Sequence, residues 1–400
     1  MPVLGLRGSG SFTVTGQRPE NYREKVLHLF PNGKAPLTAL LSMLKAEKTD
    51  DAIFHHYEKG ISGQRLRINN GAGYTSGNTT FTVDATDAAN GITGAYAGRI
   101  GTQVLIERTG EIVNLTSDPT SDTSIVVARA FGTTAAAALL DNDWLTIIGN
   151  VNEEGGALPS AITFDPTEFN NYCQIFRSPI SMTRTAMKTR LRTGDQKKEA
   201  KREALEMLSI QKERAFIFGE FKLGTGAKGQ PMRATRGIVS HITVNESANV
   251  ISSIGDMSEA TWDSYCEQVF RYGSNEKIAL CGSTALLALA SMAKNGGIQM
   301  QAVAKDDAYG MDLVKYLTPF GVLFLKSHPL FSEHPVHRQN ILIVDPANVK
   351  ERYVDDLQFL TDRGTPGDDG KSDEFLNECG IETNHAKTHM YLKGITGFAP

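Results

Sequence analysis

Apolar residues recur three or four positions apart, the spacing of one helix face, in two parts of the chain. The first predicts a helix over residues 35–44, with Pro36 in its first turn. The second predicts a long helix over residues 184–220, which Gly194 interrupts near its start and which runs roughly 37 Å beyond that point. The defining residues are Leu37, Leu40, Leu41 and Leu44 in the first helix and Ala200, Ala204, Leu208 and Ala215 in the second.

Between residues 61 and 150 the pattern changes to short β-prone runs bounded by Gly, Asn, Asp or Pro. Thr109 and Gly110 separate two of these runs and predict a tight hairpin turn. We therefore expect a small antiparallel β unit here, with a barrel as one form of it. The runs are 65–68, 79–83, 103–106, 111–115, 124–127 and 144–148.

Extended structure is predicted again over residues 162–183. Beyond residue 250 the pattern alternates between helix and strand, with Ser258 and Ser283 placed to cap two helices. A polar loop is expected at 364–374. The strands predicted in this part are 278–281, 322–325, 341–344 and 388–392.

Residues 1–34 have the pattern of an arm, rich in Gly, Ser, Thr and Pro and without a sustained apolar period. The segment carries five basic and two acidic residues. It has too few apolar residues to fold alone, so we expect it to rest on a partner surface.

Composition narrows the classes of function. Hydrophobic residues make up 40% and charged residues 22% of the 400 positions, which is typical of a globular chain. The formal charge of −4 argues against a strongly basic nucleic-acid-binding protein. Four cysteines without a CxxC pair indicate free buried thiols in a reducing compartment. No export signal and no membrane-spanning stretch is predicted.

Charge is unevenly distributed along the chain. Residues 184–222 carry 11 basic and 6 acidic residues, whereas residues 360–382 carry 2 basic and 7 acidic ones. One interpretation is a solvated helix face. The other is that the two segments meet across subunits, or that the helix faces nucleic acid without reading bases. The candidate assembly or DNA-facing residues are Arg184, Lys188, Arg190 and Arg192.

Catalytic and ligand-binding patterns are weak. Residues 224–229 match G-x-G-x-x-G, but a helix precedes them and Pro231 follows, so a flexible connector is favoured over a phosphate-binding loop. Cys281 lies in an apolar run that favours an inert thiol. We predict no catalytic residue, cofactor or metal. An enzyme that uses Cys281 or the histidines stays an alternative hypothesis. These histidines are His328, His334 and His337, and His385 and His389, which would share one face of a strand.

The order of elements resembles the major capsid proteins of tailed bacteriophages, which have the Hong Kong 97-like fold. The likeness runs over most of residues 30–240 and more loosely to the end, and its specificity lies in the order and spacing of several stretches. These stretches are 31–41, 48–51 with Phe54 and His55, 129–137, 147–150, 174–179, 191–195, 216–220 and 235–238.

The resemblance implies an α+β fold with five parts. They are an N-terminal arm at 1–51, an extended loop at 52–183 carrying an inserted β domain at about 61–150, a spine helix and connector of the peripheral domain at 184–236, an α/β axial domain at 237–345, and a return to the peripheral domain at 346–400.

It also implies a non-enzymatic virion protein. Its copies would form hexamers and pentamers of an icosahedral head around double-stranded DNA, held by non-specific contacts. Portal, scaffold and decoration proteins would be further partners, no membrane would be involved, and assembly would take place in the host cytoplasm. An encapsulin-like compartment shell is the alternative. Some members of the family cross-link covalently through a lysine and an asparagine, but neither residue is matched in this sequence.

Overall fold

The computed structural model describes residues 35–44, 46–60, 64–87, 91–156, 158–163, 165–189, 195–295, 300–302, 314–365 and 367–399. These residues form two compact units: one spans 55–170, and the other contains the described residues before 55 and after 170. The mixture of helices and sheets confirms the predicted α+β class.

The α-helices of the described residues are α1 Pro36–Met43, α2 Arg184–Lys188, α3 Gln196–Phe218, α4 Ile238–Asn245, α5 Glu259–Phe270, α6 Ser283–Asn295 and α7 Pro329–Glu333. The strands are β1 Glu47–Lys48, β2 Ile53–Glu58, β3 Arg65–Arg67, β4 Thr80–Thr82, β5 Thr102–Ile106, β6 Ile112–Leu115, β7 Ser124–Ala128, β8 Trp144–Asn150, β9 Thr167–Tyr172, β10 Gln174–Thr183, β11 Lys222–Thr225, β12 Pro231–Ala234, β13 Val250–Ile251, β14 Gly255–Met257, β15 Glu276–Cys281, β16 Met300–Ala302, β17 Val314–Leu317, β18 Val322–Ser327, β19 Ile341–Val344, β20 Val349–Leu360, β21 Gly370–Thr383, β22 Met390–Leu392 and β23 Ile395–Phe398.

The unit at 55–170 is a closed antiparallel barrel in the order β3-β8-β5-β6-β7-β4. Backbone hydrogen bonds from Asn69 to Thr82 (3.0 Å) and from Asp84 to Arg67 (2.9 Å) join the two ends. All six predicted runs are strands, and Gly110 takes a left-handed φ of +69° in the predicted hairpin turn. The buried side chains alternate along each strand, as a filled small barrel requires.

The seven-stranded sheet has the order β13-β22-β19-β15-β18-β17-β16 and carries apolar side chains on both faces. Ile278 and Leu280 of β15 face one core, with α1, α3 and α4. Ala279 and Cys281 face the other core, with α5 and α6. Burial on both faces explains why the predicted strands are almost continuously apolar.

A four-stranded sheet in the order β1-β20-β21-β10 packs against α3. Its hairpin of β20 and β21 is absent from the sequence prediction. The predicted polar loop at 364–374 is too long, because β21 already begins at Gly370. The strands contain many charged residues, and those at buried positions include Asp373, Glu374 and Glu382, so charge hides the two-residue apolar period.

Candidate functional site

The predicted long helix consists of two helices. α2 ends at Lys188 and α3 begins at Gln196, where the Asp195 side chain accepts a hydrogen bond from the amide of Lys197 (3.0 Å). α3 has 23 residues and is about 35 Å long. Ala204 and Leu208 of the predicted stripe are buried.

Two of the four candidate assembly residues lie in the described part of the chain. The Nε atom of Arg184 lies 2.7 Å from Oδ1 of Asp369, and both side chains are about two-thirds exposed, at 69% and 66%. Lys188 is exposed in the last turn of α2. Arg190 and Arg192 lie outside the described residues.

The basic and acidic segments meet within one chain. Lys197 of α3 lies 2.7 Å from the buried carboxylate of Asp373 on β21. Burial alone would raise the pKa of Asp373, but hydrogen bonds from Lys197 and from the amide of Asp362 lower it overall. Lys201 lies 3.5 Å from the ring centroid of Phe359 on β20. Part of the positive charge of α3 is therefore neutralised by its own sheet.

Glu374 holds a second charged cluster on the same sheet. Its carboxylate accepts hydrogen bonds from Nε of Arg177 on β10 and Nε of Arg363, both at 2.9 Å. The hydrogen bond from Arg177 is the main reason that the pKa of Glu374 lies below its usual value, and Arg363 lowers it further. Glu374 on β21 thus connects the neighbouring strand β10 and the loop that precedes β21.

One acid of α3 is fully buried. Glu213 accepts hydrogen bonds from the amides of Leu37 (2.7 Å) and Thr38 (2.6 Å), from Oγ1 of Thr38 (2.5 Å) and from Nε2 of His328 (3.0 Å). Glu213 and His328 are both 0% exposed.

The sequence prediction missed Glu213. The available signal was its position three and four residues before Phe216 and Ile217, which places a charged residue on an apolar helix face. Its partners lie 175 and 115 residues away in the chain, so no local pattern shows them.

The other candidates are separate and mostly structural. Cys281 is fully buried, and burial raises its pKa to about 12, as expected of an inert thiol. Residues 224–229 form the end of β11 and most of the turn to β12, without the helix that a dinucleotide loop needs. The rings of His334 and His337 are tilted by 36° with 4.4 Å between their centroids, while His328 binds Glu213.

The prediction that His385 and His389 share one strand face is wrong, because a short 3₁₀ helix from Ala386 to Thr388 separates them. The described residues contain no group of three or more His, Cys, Asp or Glu side chains suited to a metal ion. Among the described residues, no helix has the length and apolarity that crossing a bilayer requires.

Comparison with known proteins points to one family. A family described as SU10 major capsid protein matches residues 8–396. The major capsid protein of Pseudomonas phage PaMx41 is 26% identical over 362 residues, which cover 88% of this chain and 83% of that protein.

Solved structures similar to this chain include the capsid of a native GTA particle, with a TM-score of 0.49 and 10% identity over 98% of this chain and 100% of that one. The Mycobacterium phage Adephagia structure has a TM-score of 0.43 and 10% identity over 99% and 100% of the two chains. The holo-SrpI encapsulin of Synechococcus elongatus PCC 7942 has a TM-score of 0.42 and 12% identity over 59% and 79%.

Proposed function

The chain belongs to the SU10 major capsid protein family, and from this premise we propose that its copies form hexamers and pentamers of an icosahedral head around double-stranded phage DNA. Membership makes it a phage major capsid protein, a structural protein that associates with copies of itself in the virion. The family match over nearly the whole chain carries the proposal. It also supports a purely structural, non-enzymatic role.

The predicted domain roles are part of this proposal. Residues 1–51 act as the arm, 52–183 as the extended loop, 184–236 as the spine of the peripheral domain, 237–345 as the axial domain and 346–400 as the return, in a Hong Kong 97-like arrangement. The self-contained barrel supports an inserted domain at about 61–150. The length of α3 supports a spine helix.

The proposed partners beyond the chain itself are portal, scaffold and decoration proteins, and DNA bound through its phosphates without base readout. Assembly takes place in the host cytoplasm. Arg184, Lys188, Arg190 and Arg192 contribute the contacts to neighbouring subunits or DNA. The exposure of Lys188 and of most of Arg184 supports a role at an outer surface.

The direct experiment is electron microscopy of the purified chain and of native particles, with analysis of their contents. We expect closed shells that protect DNA from nuclease in native particles. A chain that stays monomeric under all assembly conditions would contradict the proposal. Native particles that contain a folded protein cargo and no DNA would instead identify a compartment shell.

A further inference from the structure

We propose that Glu213 is a positioning residue that fixes the place at which α1 begins on the subunit, because it caps α1 from another helix. The first amide groups of a helix have no partner within the helix. α1 has Ala35 at its N-cap position, without a side chain that can accept a hydrogen bond. Both carboxylate oxygens of Glu213 take that role instead.

The first turn of α1 has every donor satisfied in this arrangement. Pro36 has no amide hydrogen, the amides of Leu37 and Thr38 bond to Glu213, and the amide of Ala39 bonds to the carbonyl of Ala35 (3.0 Å). The negative charge also lies at the positive end of the helix dipole. All of these hydrogen bonds form only when the first turn of α1 lies directly against the carboxylate of Glu213.

The apolar contacts of α1 do not supply the same precision. Leu37, Leu40 and Leu41 are buried in the core with Phe216 and Ile217. Burial of apolar area is non-directional, so a helix held by it alone can rotate or slide. A buried carboxylate is costly unless its hydrogen bonds are made, which penalises every displaced position of α1.

His328 links this cap to a third segment. Its Nε2 atom bonds to Glu213 from the residue before α7, and its ring packs on Phe331 with 4.4 Å between the ring centroids. α1, α3 and the start of α7 therefore meet at one carboxylate. Glu213 therefore holds the part of the proposed arm that begins at residue 35 in one place on the subunit. The consequence for assembly rests on the proposed function.

The test compares Glu213→Gln with Glu203→Gln, an exposed acid on the same helix. Glutamine keeps the shape but directs an amide donor at a backbone donor. Hydrogen exchange of a peptide covering residues 35–44 should accelerate about tenfold or more in Glu213→Gln, while peptides of α5 and β15 stay protected. Particles of this variant should be fewer or irregular, and Glu203→Gln should match the wild type.

Thr38→Val and Thr38→Ser test the same contact if Glu213→Gln does not fold. Serine keeps the hydroxyl donor and should retain slow exchange, whereas valine should lose part of the protection. Unchanged exchange in both Glu213→Gln and Thr38→Val would overturn the cap. Faster exchange with normal particles would overturn the role in assembly. A failure of the wild type to form particles would refute the proposed function instead, because the exchange result does not depend on assembly.

Discussion

His389 is a fully buried histidine that takes one fixed protonation state. Its Nδ1 atom accepts a hydrogen bond from the amide of Asp345 (3.1 Å), and its Nε2 atom lies 3.2 Å from the carbonyl of Asn384. Burial lowers the pKa of His389 to about 3, and electrostatic interactions with Lys277 and with the His241 ring act in the same direction, against the carboxylate of Asp345. The folded chain therefore holds a neutral ring.

This ring should make stability depend on pH. Below pH 6.5 the unfolded chain binds a proton at His389 and the folded chain does not, so stability falls as the pH drops from 6.5 towards 3. The contribution is about 1.4 kcal/mol per pH unit at most. Thermal unfolding between pH 6.5 and 5 should show a shallower loss of stability in His389→Asn than in the wild type.

The matched control is His385→Asn at an exposed position with a left-handed φ of +52°, which asparagine tolerates. It should keep the wild-type pH dependence. An unchanged slope in His389→Asn would show that the ring is not the titrating group.

Two glycines form the junction between the end of α3 and the start of α4. The amide of Gly237 donates to the carbonyl of Gly219 at 2.8 Å. A Cβ atom on Gly237 would lie 2.6 Å from the nitrogen of Gly219 and 2.7 Å from the carbonyl of Ile217. Because these neighbours are backbone atoms, they cannot move aside as a flexible side chain would.

Gly237→Ala should therefore lower the free energy of unfolding by about 1–3 kcal/mol, the usual cost of overpacking. Gly224→Ala on β11 is the control, because its Cβ would meet the end of the Met232 side chain at 3.4 Å and the Met232 carbonyl oxygen at 3.7 Å, neither closer than a tight van der Waals contact. Denaturant unfolding measures both. Equal midpoints for the two variants would contradict the close approach.

At the scale of helices and strands, the sequence predicted those elements whose residues follow a strong local pattern. The barrel strands, α1 and α5 are confirmed because each has an apolar face with a clear spacing. The predicted strands of the seven-stranded sheet are confirmed because each is an almost continuous apolar run, buried on both faces. The β20–β21 hairpin was missed because charged residues occupy exposed and buried positions alike, so no apolar alternation marks the strands. The Glu213 cap was missed because it depends on contacts between distant segments.

At the scale of the whole molecule, the net charge of −4 conceals a basic helix joined to an acidic sheet. The sequence predicted the two charged segments but left open where they meet. The structure pairs Arg184 with Asp369 in the same chain, and both remain largely exposed. The outer surface at this place therefore carries a charge pair, with Lys188 as an exposed basic residue in the same helix.

Arg184→Glu with Lys188→Glu should reduce the yield or DNA content of particles. The folded subunit should lose less than about 1 kcal/mol, since exposed ion pairs contribute little. The control is the double variant Arg184→Asp with Asp369→Arg, which keeps an ion pair within the chain but exchanges the positions of the positive and negative charges. We expect the exchange to remain defective in assembly. Normal, DNA-filled particles from the double reversal would refute a role for these two residues.

The paired strands β2 and β9 bracket the barrel at its entry and exit. The Nδ1 atom of His55 lies 2.7 Å from Oε1 of Glu168 across these strands, and the rings of His56 and Phe169 stack beside this contact. The two ends of the inserted segment are thus neighbours. In evolutionary and engineering terms, we expect the barrel to tolerate a change in length or exchange for another domain with adjacent termini.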